Sequence, residues 1–433
     1  MTSEQDTKFL TAIEEHIFSL TETASTTIAH LAQAAQEKEM LHMYIASLLQ
    51  QHGFTMQPLN NEKFLTCGRY VTEKTRTLLI FSHCPPQPTA FARWSTFVTR
   101  LLTFALYRET IGSIPLNTLW LIDTEEHDEN DTAMSQFVKD NDAWLQGDGC
   151  LYDLPTGNSL PTPCLALGTK GLLSIEMEVR TTSREHSTLY GAILPDAGWR
   201  LPWALSSLKD AHEEIHIEGF YDALLPMDEE EIAAIRTMTD DERVLKQRMD
   251  VDEFLLQLHG FQLQYTHFLL PTCTVTSVHS GGAASDARHV IPSFAKASLD
   301  IHLVPNQDPE DIYAKLRKHL DIQGFRDVHT TVKVSRSPQY TPRLHPFSNI
   351  VYESACTLYG ENIPLFPLVP EYSAYYPFQS LLNIPVVYTQ TGYVQYQHYE
   401  HNTVVMAEDK EKQRQFLANG VKHVAMIIKG IIE

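Results

Sequence analysis

The stretch Leu167-Gly168-Thr169-Lys170-Gly171-Leu172-Leu173-Ser174-Ile175-Glu176-Met177-Glu178-Val179-Arg180 marks a change in the style of the chain. From Leu172 to Arg180, apolar and polar side chains alternate, the period of a strand with one face buried and one wet. Ala297–Val304 repeats the pattern and runs into Pro305-Asn306-Gln307-Asp308-Pro309, followed by the amphipathic helical spacing of Glu310–Leu320. Strands of this kind with helices on one face predict an α+β unit. Upstream, Thr77–Ser82 and Asn117–Asp123 are short buried-strand runs that alternate with helical stretches at Thr99–Tyr107 and Thr132–Asp140, as parallel strands in an α/β layer do. Phe9–Leu20 and Glu37–Gln51 carry helical spacing, and the second stops at His52-Gly53-Phe54. Alternation resumes at His345 and ends in the amphipathic Glu411–Ile432. The predicted fold class is α/β, a sheet domain interrupted by an inserted α+β domain, with segments 1–168, 169–340 and 341–433. Asp228–Leu258, acidic and helical, reads as a solvated face or appendage.

The 433 residues include 33 Lys and Arg against 54 Asp and Glu, a formal charge of −21. Phosphate backbones and anionic membranes are repelled by such a surface, so neither nucleic acid nor membrane is expected as a partner. No run approaches the roughly 18 apolar residues a spanning helix requires. Met1-Thr2-Ser3-Glu4-Gln5-Asp6 lacks the basic and apolar regions of a signal peptide, which predicts a soluble cytoplasmic protein. The six cysteines stand singly, which argues against a zinc ribbon, a C-x-x-C redox site or a disulfide framework.

Ligand sites in α/β sheets lie beyond the carboxyl ends of strands. Three segments follow buried runs there: Phe81-Ser82-His83-Cys84-Pro85-Pro86-Gln87-Pro88, Ile122-Asp123-Thr124-Glu125-Glu126-His127-Asp128-Glu129, and Gln146-Gly147-Asp148-Gly149-Cys150. A fourth, Tyr396-Gln397-His398-Tyr399-Glu400-His401-Asn402, lies near the end. Imidazoles and carboxylates converging at strand ends suit a divalent cation with a spare Glu as base. The plainer alternative is hydrogen-bonded loop histidines and a solvated acidic turn, and on the residues alone it is the stronger. Cys84 reads as a small buried residue, because no third group is evident to orient a Cys–His pair.

The order of several motifs resembles the zinc-dependent dipeptidase/deacylase family that includes carnosinases, bacterial Xaa-His dipeptidases, carboxypeptidase G and acetylornithine deacetylase. Leu167–Leu173 with Glu176–Val179 resembles "GLRG…EVEV", and Arg184–Gly191 resembles "DLHSGLYGG". Ile217-Glu218-Gly219-Phe220-Tyr221-Asp222 resembles "I-x-G-F-Y-D" of the dipeptidase branch, while Val290-Ile291-Pro292 and Leu303–Pro309 resemble "VIP" and "RLVPNQDP". With the N-terminal helices these cover nearly the whole chain. The resemblance implies a catalytic domain with an inserted lid that forms a homodimer.

It also implies a site, and here the chain departs from the family. His83 matches the His of H-x-D, but Pro85 stands where the Asp belongs. The loop to the bridging Asp is shortened, and Trp94 is the nearest match. In "G-x-E-E", Glu126 matches the general base and His127 replaces the metal-binding Glu. Asp148 matches the next metal ligand and His398 the last, with His401 as its rival. His186 matches a lid histidine that serves the oxyanion across the dimer; His302 replaces a substrate-binding Arg, and Tyr372, Tyr375 and Tyr376 replace a glycine-rich segment. Two cations roughly 3.5–4 Å apart need a bridging anion, so one zinc ion at most, or none, is expected, with His83, His127, Asp148 and His398 as its ligands.

Three functions stay open at this point. The chain is a divergent hydrolase of a dipeptide or other small amide, a pseudo-peptidase acting as a binding subunit, or a scaffold recruited to other amide chemistry. Glu126, Asp148, His83 and His398 favour an enzyme; Pro85 and the shortened loop favour the second reading.

Overall fold

The computed structural model describes residues 3–57, 65–86, 91–124, 133–154, 163–226, 229–237, 242–281, 289–360, 363–372, 378–390 and 410–433. The chain opens with helices α1 (Ser3–Ala34) and α2 (Lys38–Gln51), then strands β1 (Thr55–Met56), β2 (Leu65–Tyr70) and β3 (Thr77–His83). Helix α3 (Phe91–Ile111), strand β4 (Asn117–Asp123), helix α4 (Ala133–Asp140) and strands β5 (Gly149–Asp153) and β6 (Cys164–Ala166) follow. The insertion comprises β7 (Gly168–Arg180), β8 (His186–Ser187), α5 (Ala197–Leu208), α6 (Glu229–Thr237), α7 (Glu242–Met249), α8 (Gly260–Leu269), β9 (Thr272–Ser280), β10 (Val290–Ile291), β11 (Phe294–Leu303), α9 (Pro309–Ile322), β12 (Val328–Arg336) and β13 (Gln339–Tyr340). The chain then returns through α10 (Pro346–Tyr359), β14 (Leu365–Phe366), β15 (Val369–Tyr372), α11 (Phe378–Leu382), β16 (Val386–Gln390) and α12 (Lys410–Ile432).

The first sheet is ordered β1-β2-β4-β3-β5-β16-β6-β14, so the returning chain lays β16 between β5 and β6. Its centre, β4-β3-β5-β16, is parallel throughout. Such strands are covered on both faces, which is why Leu78–Phe81 and Leu119–Ile122 are apolar without alternation. One face, with Leu78, Ile80, Trp120 and Val387, packs under α1, α3, α10 and α12; the other, with Leu79, Phe81, Leu121 and Tyr152, meets Phe137 and Phe378.

In the inserted domain the order is β12-β7-β11-β9, and all of these pairs are antiparallel. Leu173, Ile175, Met177 and Val179 of β7 point into a core closed by α5 and α9. On the opposite face Glu178 pairs with Lys296 at 2.8 Å. Asp308 caps α9 through the amides of Glu310 and Asp311, and Pro309 begins the helix with its φ already set. The alternation of Leu172–Arg180 is borne by a longer strand than the sequence predicts. Residues Gly168–Leu173 are buried on both sides, because β13 and β15 also join β7. A Cβ at Gly171 would lie 2.5 Å from the Arg336 carbonyl oxygen, so glycine is what lets these backbones approach. Among the described residues of the acidic segment, α6 and α7 are helical as expected, and Leu256 beyond them takes a left-handed φ of 53°.

Candidate active site

Because β4, β3, β5 and β16 run the same way, their last residues share one edge: Asp123, His83, Asp153 and Gln390. His83 lies directly beside Asp123 in register, and Asp153 beside Thr389. Strand alternation turns Ser82 toward the α3 face, where Arg100 and the Trp120 indole reach its hydroxyl at 3.1 Å each. His83, Asp123, Thr124 and Asp153 are all buried.

Two arginines from α3 enter this edge. Arg93 donates to His83 Nδ1. A neutral imidazole that accepts at one nitrogen carries its proton on the other, so His83 in this arrangement has no lone pair left for a metal. Arg100, 1% exposed, places Nη1 at 2.5 Å from Asp153 Oδ1 and donates through Nη2 to Thr389 Oγ1 at 2.9 Å. Burial pushes the Asp153 carboxyl above the usual carboxylate range, and the Arg100 charge acts against that rise. Cys84 is fully buried; burial drives its thiol far up, with Asp153 adding to the effect. It is the small buried residue the sequence suggests, and its thiolate is suppressed.

Asp148 requires correction. It precedes β5, not follows it, and so lies at the opposite, amino edge of the sheet. There it ion-pairs with Arg76 at 2.6 Å and accepts the Thr77 amide at 2.8 Å. It cannot converge with His83, which ends the seven-residue strand that Thr77 begins. The carboxylate that β5 delivers to the His83 edge is Asp153. Its signal is that Cys150-Leu151-Tyr152-Asp153 closes on Asp as Trp120-Leu121-Ile122-Asp123 does. Trp94, the match to the bridging position, is buried in the core against the helix layer. Glu126, His127, His398, His401 and Tyr375 lie outside the described residues.

The described substrate and lid residues lie on other strands, β15, β11 and β8. Tyr372 ends β15 in register with Lys170. His302, half-buried on β11, stands between Leu172 and Thr272, and burial followed by the Lys170 charge lowers its pKa. Lys170 is itself buried and lowered to about 8; its ammonium donates to the carbonyls of His267 and Leu270 at the end of α8, a structural role. His186 lies on β8, half-exposed and paired with Ile291.

The described donors at the carboxyl edge, His83 and Asp153, therefore do not by themselves fit a bound metal ion. Arginines already engage His83 and Asp153, and among the described residues no group of three or more His, Cys, Asp or Glu converges to hold one. Among the same residues, no helix is long and apolar enough to cross a membrane.

Comparison with known proteins places this geometry. Residues 167–327 match the peptidase dimerisation domain of the M20 type. The human beta-Ala-His dipeptidase is 24% identical over 245 residues, covering 56% of this chain and 47% of that protein, so the match spans about half of its length. The M20 family metallo-carboxypeptidase Sso-CP2 from Sulfolobus solfataricus superposes with a TM-score of 0.73 at 20% identity, covering 90% of this chain and 95% of that one. Human carnosine dipeptidase 1 does so with a TM-score of 0.65 at 16% identity, over 100% and 99%. Residues 167–327 thus carry a peptidase dimerisation domain of the M20 type, and over 90% of its length the chain shares the fold of the M20 metallo-carboxypeptidase Sso-CP2.

Proposed function

We propose that the protein is a divergent M20 hydrolase acting on a dipeptide or other small amide, with at most one zinc ion and none at Asp153. The observation that carries this reading is the pairing of His83 and Asp123 at the carboxyl edge of the parallel strands, where an α/β sheet binds its ligand. Glu126, three residues beyond Asp123 in the chain, is the proposed general base. The relatives' printed activities, a beta-Ala-His dipeptidase and a metallo-carboxypeptidase, support peptides as the substrate class. A panel of dipeptides, assayed with and without added Zn²⁺ or Mn²⁺, tests it. Turnover that vanishes in Glu126→Gln is expected; turnover indifferent to that change overturns the assignment of the base, and no turnover on any member of the panel overturns the hydrolase.

A second reading, the pseudo-peptidase, is favoured by Arg93 and Arg100, which engage the donors a metal would use. Co-purification of a stoichiometric partner with a chain inert toward the panel decides for it. In either case we propose a homodimer through the inserted domain. Its edge strand β9 exposes Val275 and Val278, and the matching domain is named for dimerisation. Light scattering giving twice the chain mass is expected, and a monomer at micromolar concentration contradicts it.

A further inference from the structure

We propose that the guanidinium of Arg100 is the resident cation of this sheet edge, occupying at Asp153 the place a divalent metal would need. The assignment is independent of whether the protein hydrolyses anything. Arg100 stands mid-helix on the apolar face of α3, between Phe97 and Phe104, yet its charged end is matched group by group. Nη1 meets Asp153 Oδ1 at 2.5 Å, Ser82 Oγ at 3.1 Å and the Phe81 carbonyl at 3.4 Å, and Nη2 donates to Thr389 Oγ1 at 2.9 Å. These partners come from β3, β5 and β16, so one side chain ties together three strand ends. Trp120 Nε1 donates to the same Ser82 hydroxyl and fixes it as a shared acceptor. A planar fork of donors suits such a fixed set, and its charge is permanent. Both ends of the Arg100–Asp153 pair are almost wholly out of water, at 2% and 4% side-chain exposure. A divalent cation brought to Asp153 would meet an unscreened positive charge at the carboxylate it needs. Arg93 repeats the arrangement one strand end away by donating to His83 Nδ1. Two arginine cations thus engage the strand ends at His83 and Asp153.

The test measures zinc and manganese by mass spectrometry on the full chain, after incubation with excess of either ion and desalting, in the wild type and in Asp153→Asn. Thermal unfolding follows the same proteins with EDTA or zinc. Equal metal content in both proteins is expected, together with a wild-type unfolding temperature indifferent to EDTA and zinc. Arg100→Met should lower that temperature by several degrees, and Arg100→Met/Asp153→Leu should restore much of the loss, because the second change removes the stranded charge. A stoichiometric metal held by the wild type and lost in Asp153→Asn overturns the proposal, as does an Arg100→Met protein that melts like the wild type. Should Arg100→Met fail to fold, the metal comparison between wild type and Asp153→Asn decides alone. Hydrolysis enters none of these readouts, so failure of the hydrolase reading and failure of this one are separable.

Discussion

Strand β5 is preceded by Asp148 and ends on Asp153, and the two ends show one interaction in two solvents. Asp148, at the amino edge, meets Arg76 at 2.6 Å with the side chains 30% and 58% exposed. Asp153, at the carboxyl edge, meets Arg100 at 2.5 Å with the side chains 4% and 2% exposed. Distance and chemistry are nearly the same, so the difference lies in what surrounds the pair. Water and salt stand in for a lost partner at the amino edge, where such pairs contribute about 0–1 kcal/mol. At the carboxyl edge nothing replaces the partner, and an abandoned charge keeps its full desolvation penalty. The strand thus carries a decorative ion pair at one end and an obligatory one at the other.

The largest effect that could break this comparison is on Arg100. Arg100→Met should destabilise the protein by about 3–5 kcal/mol, the range for stripping one member from a buried pair. Urea unfolding followed by far-ultraviolet dichroism measures it. Replacing both charges with apolar groups, as in Arg100→Met/Asp153→Leu, should recover most of that loss, since well-packed apolar residues are often neutral against a buried pair. A cost for Arg100→Met no larger than that of Arg76→Ala would put both ends of β5 in the same regime and dissolve the contrast.

The fold was legible because its signals are repeated along many residues. Apolar runs such as Leu78–Phe81 and Leu119–Ile122 announce strands buried on both faces, and the alternation from Leu172 announces the half-exposed sheet of the insertion. The site was less legible because it depends on single residues and on strand direction. Asp148 and Asp153 lie five residues apart, and the family resemblance falls on the one at the amino edge; only the direction of β5 relative to β3 separates them. Arg100 carries a readable signal of its own. A charge on a helix face with Phe97 and Phe104 as its neighbours cannot face water, so it demands a buried anion. What no local pattern supplies is which carboxylate answers it, because Asp153 and Thr389 reach the arginine from strands 53 and 289 residues away.

A smaller effect sharpens the comparison through pH. His423, on α12, is fully buried, and burial lowers its pKa to about 4, with the Arg100 charge acting in the same direction against a hydrogen bond to the Val351 carbonyl. The unfolded chain takes up this proton near pH 6.5, whereas the folded chain resists it until about pH 4. Stability therefore falls as pH drops from 6.5 toward 4, and rises again by the same path. At about 1.4 kcal/mol per pH unit, the contribution of this one group amounts to roughly 3 kcal/mol. Urea midpoints at pH 7 and pH 4.5 should show a shallower acid loss in His423→Gln than in the wild type. Because Arg100 is one of the causes, Arg100→Met should also flatten the His423 part of the profile, a coupling that Arg76→Ala should lack.

The smallest effect belongs to the amino edge. Arg76→Ala should change stability by no more than about 1 kcal/mol, and the change should shrink further in high salt, because both side chains stand in solvent where added ions screen them. Asp148→Ala should cost somewhat more than Arg76→Ala, since it also strips the acceptor from the Thr77 amide, an interaction of about 0.5–1.5 kcal/mol that salt leaves in place. The two variants measured at low and high ionic strength therefore separate the charge from the hydrogen bond at this end of β5. The same pair bears on the site. If Asp148 belonged with His83, its removal would alter zinc content; placed at the amino edge and answering Arg76 and Thr77, it should leave zinc content as it is in the wild type. An Asp148→Ala protein that lost a stoichiometric metal would require β5 to run the other way, against its parallel register with β3 and β16.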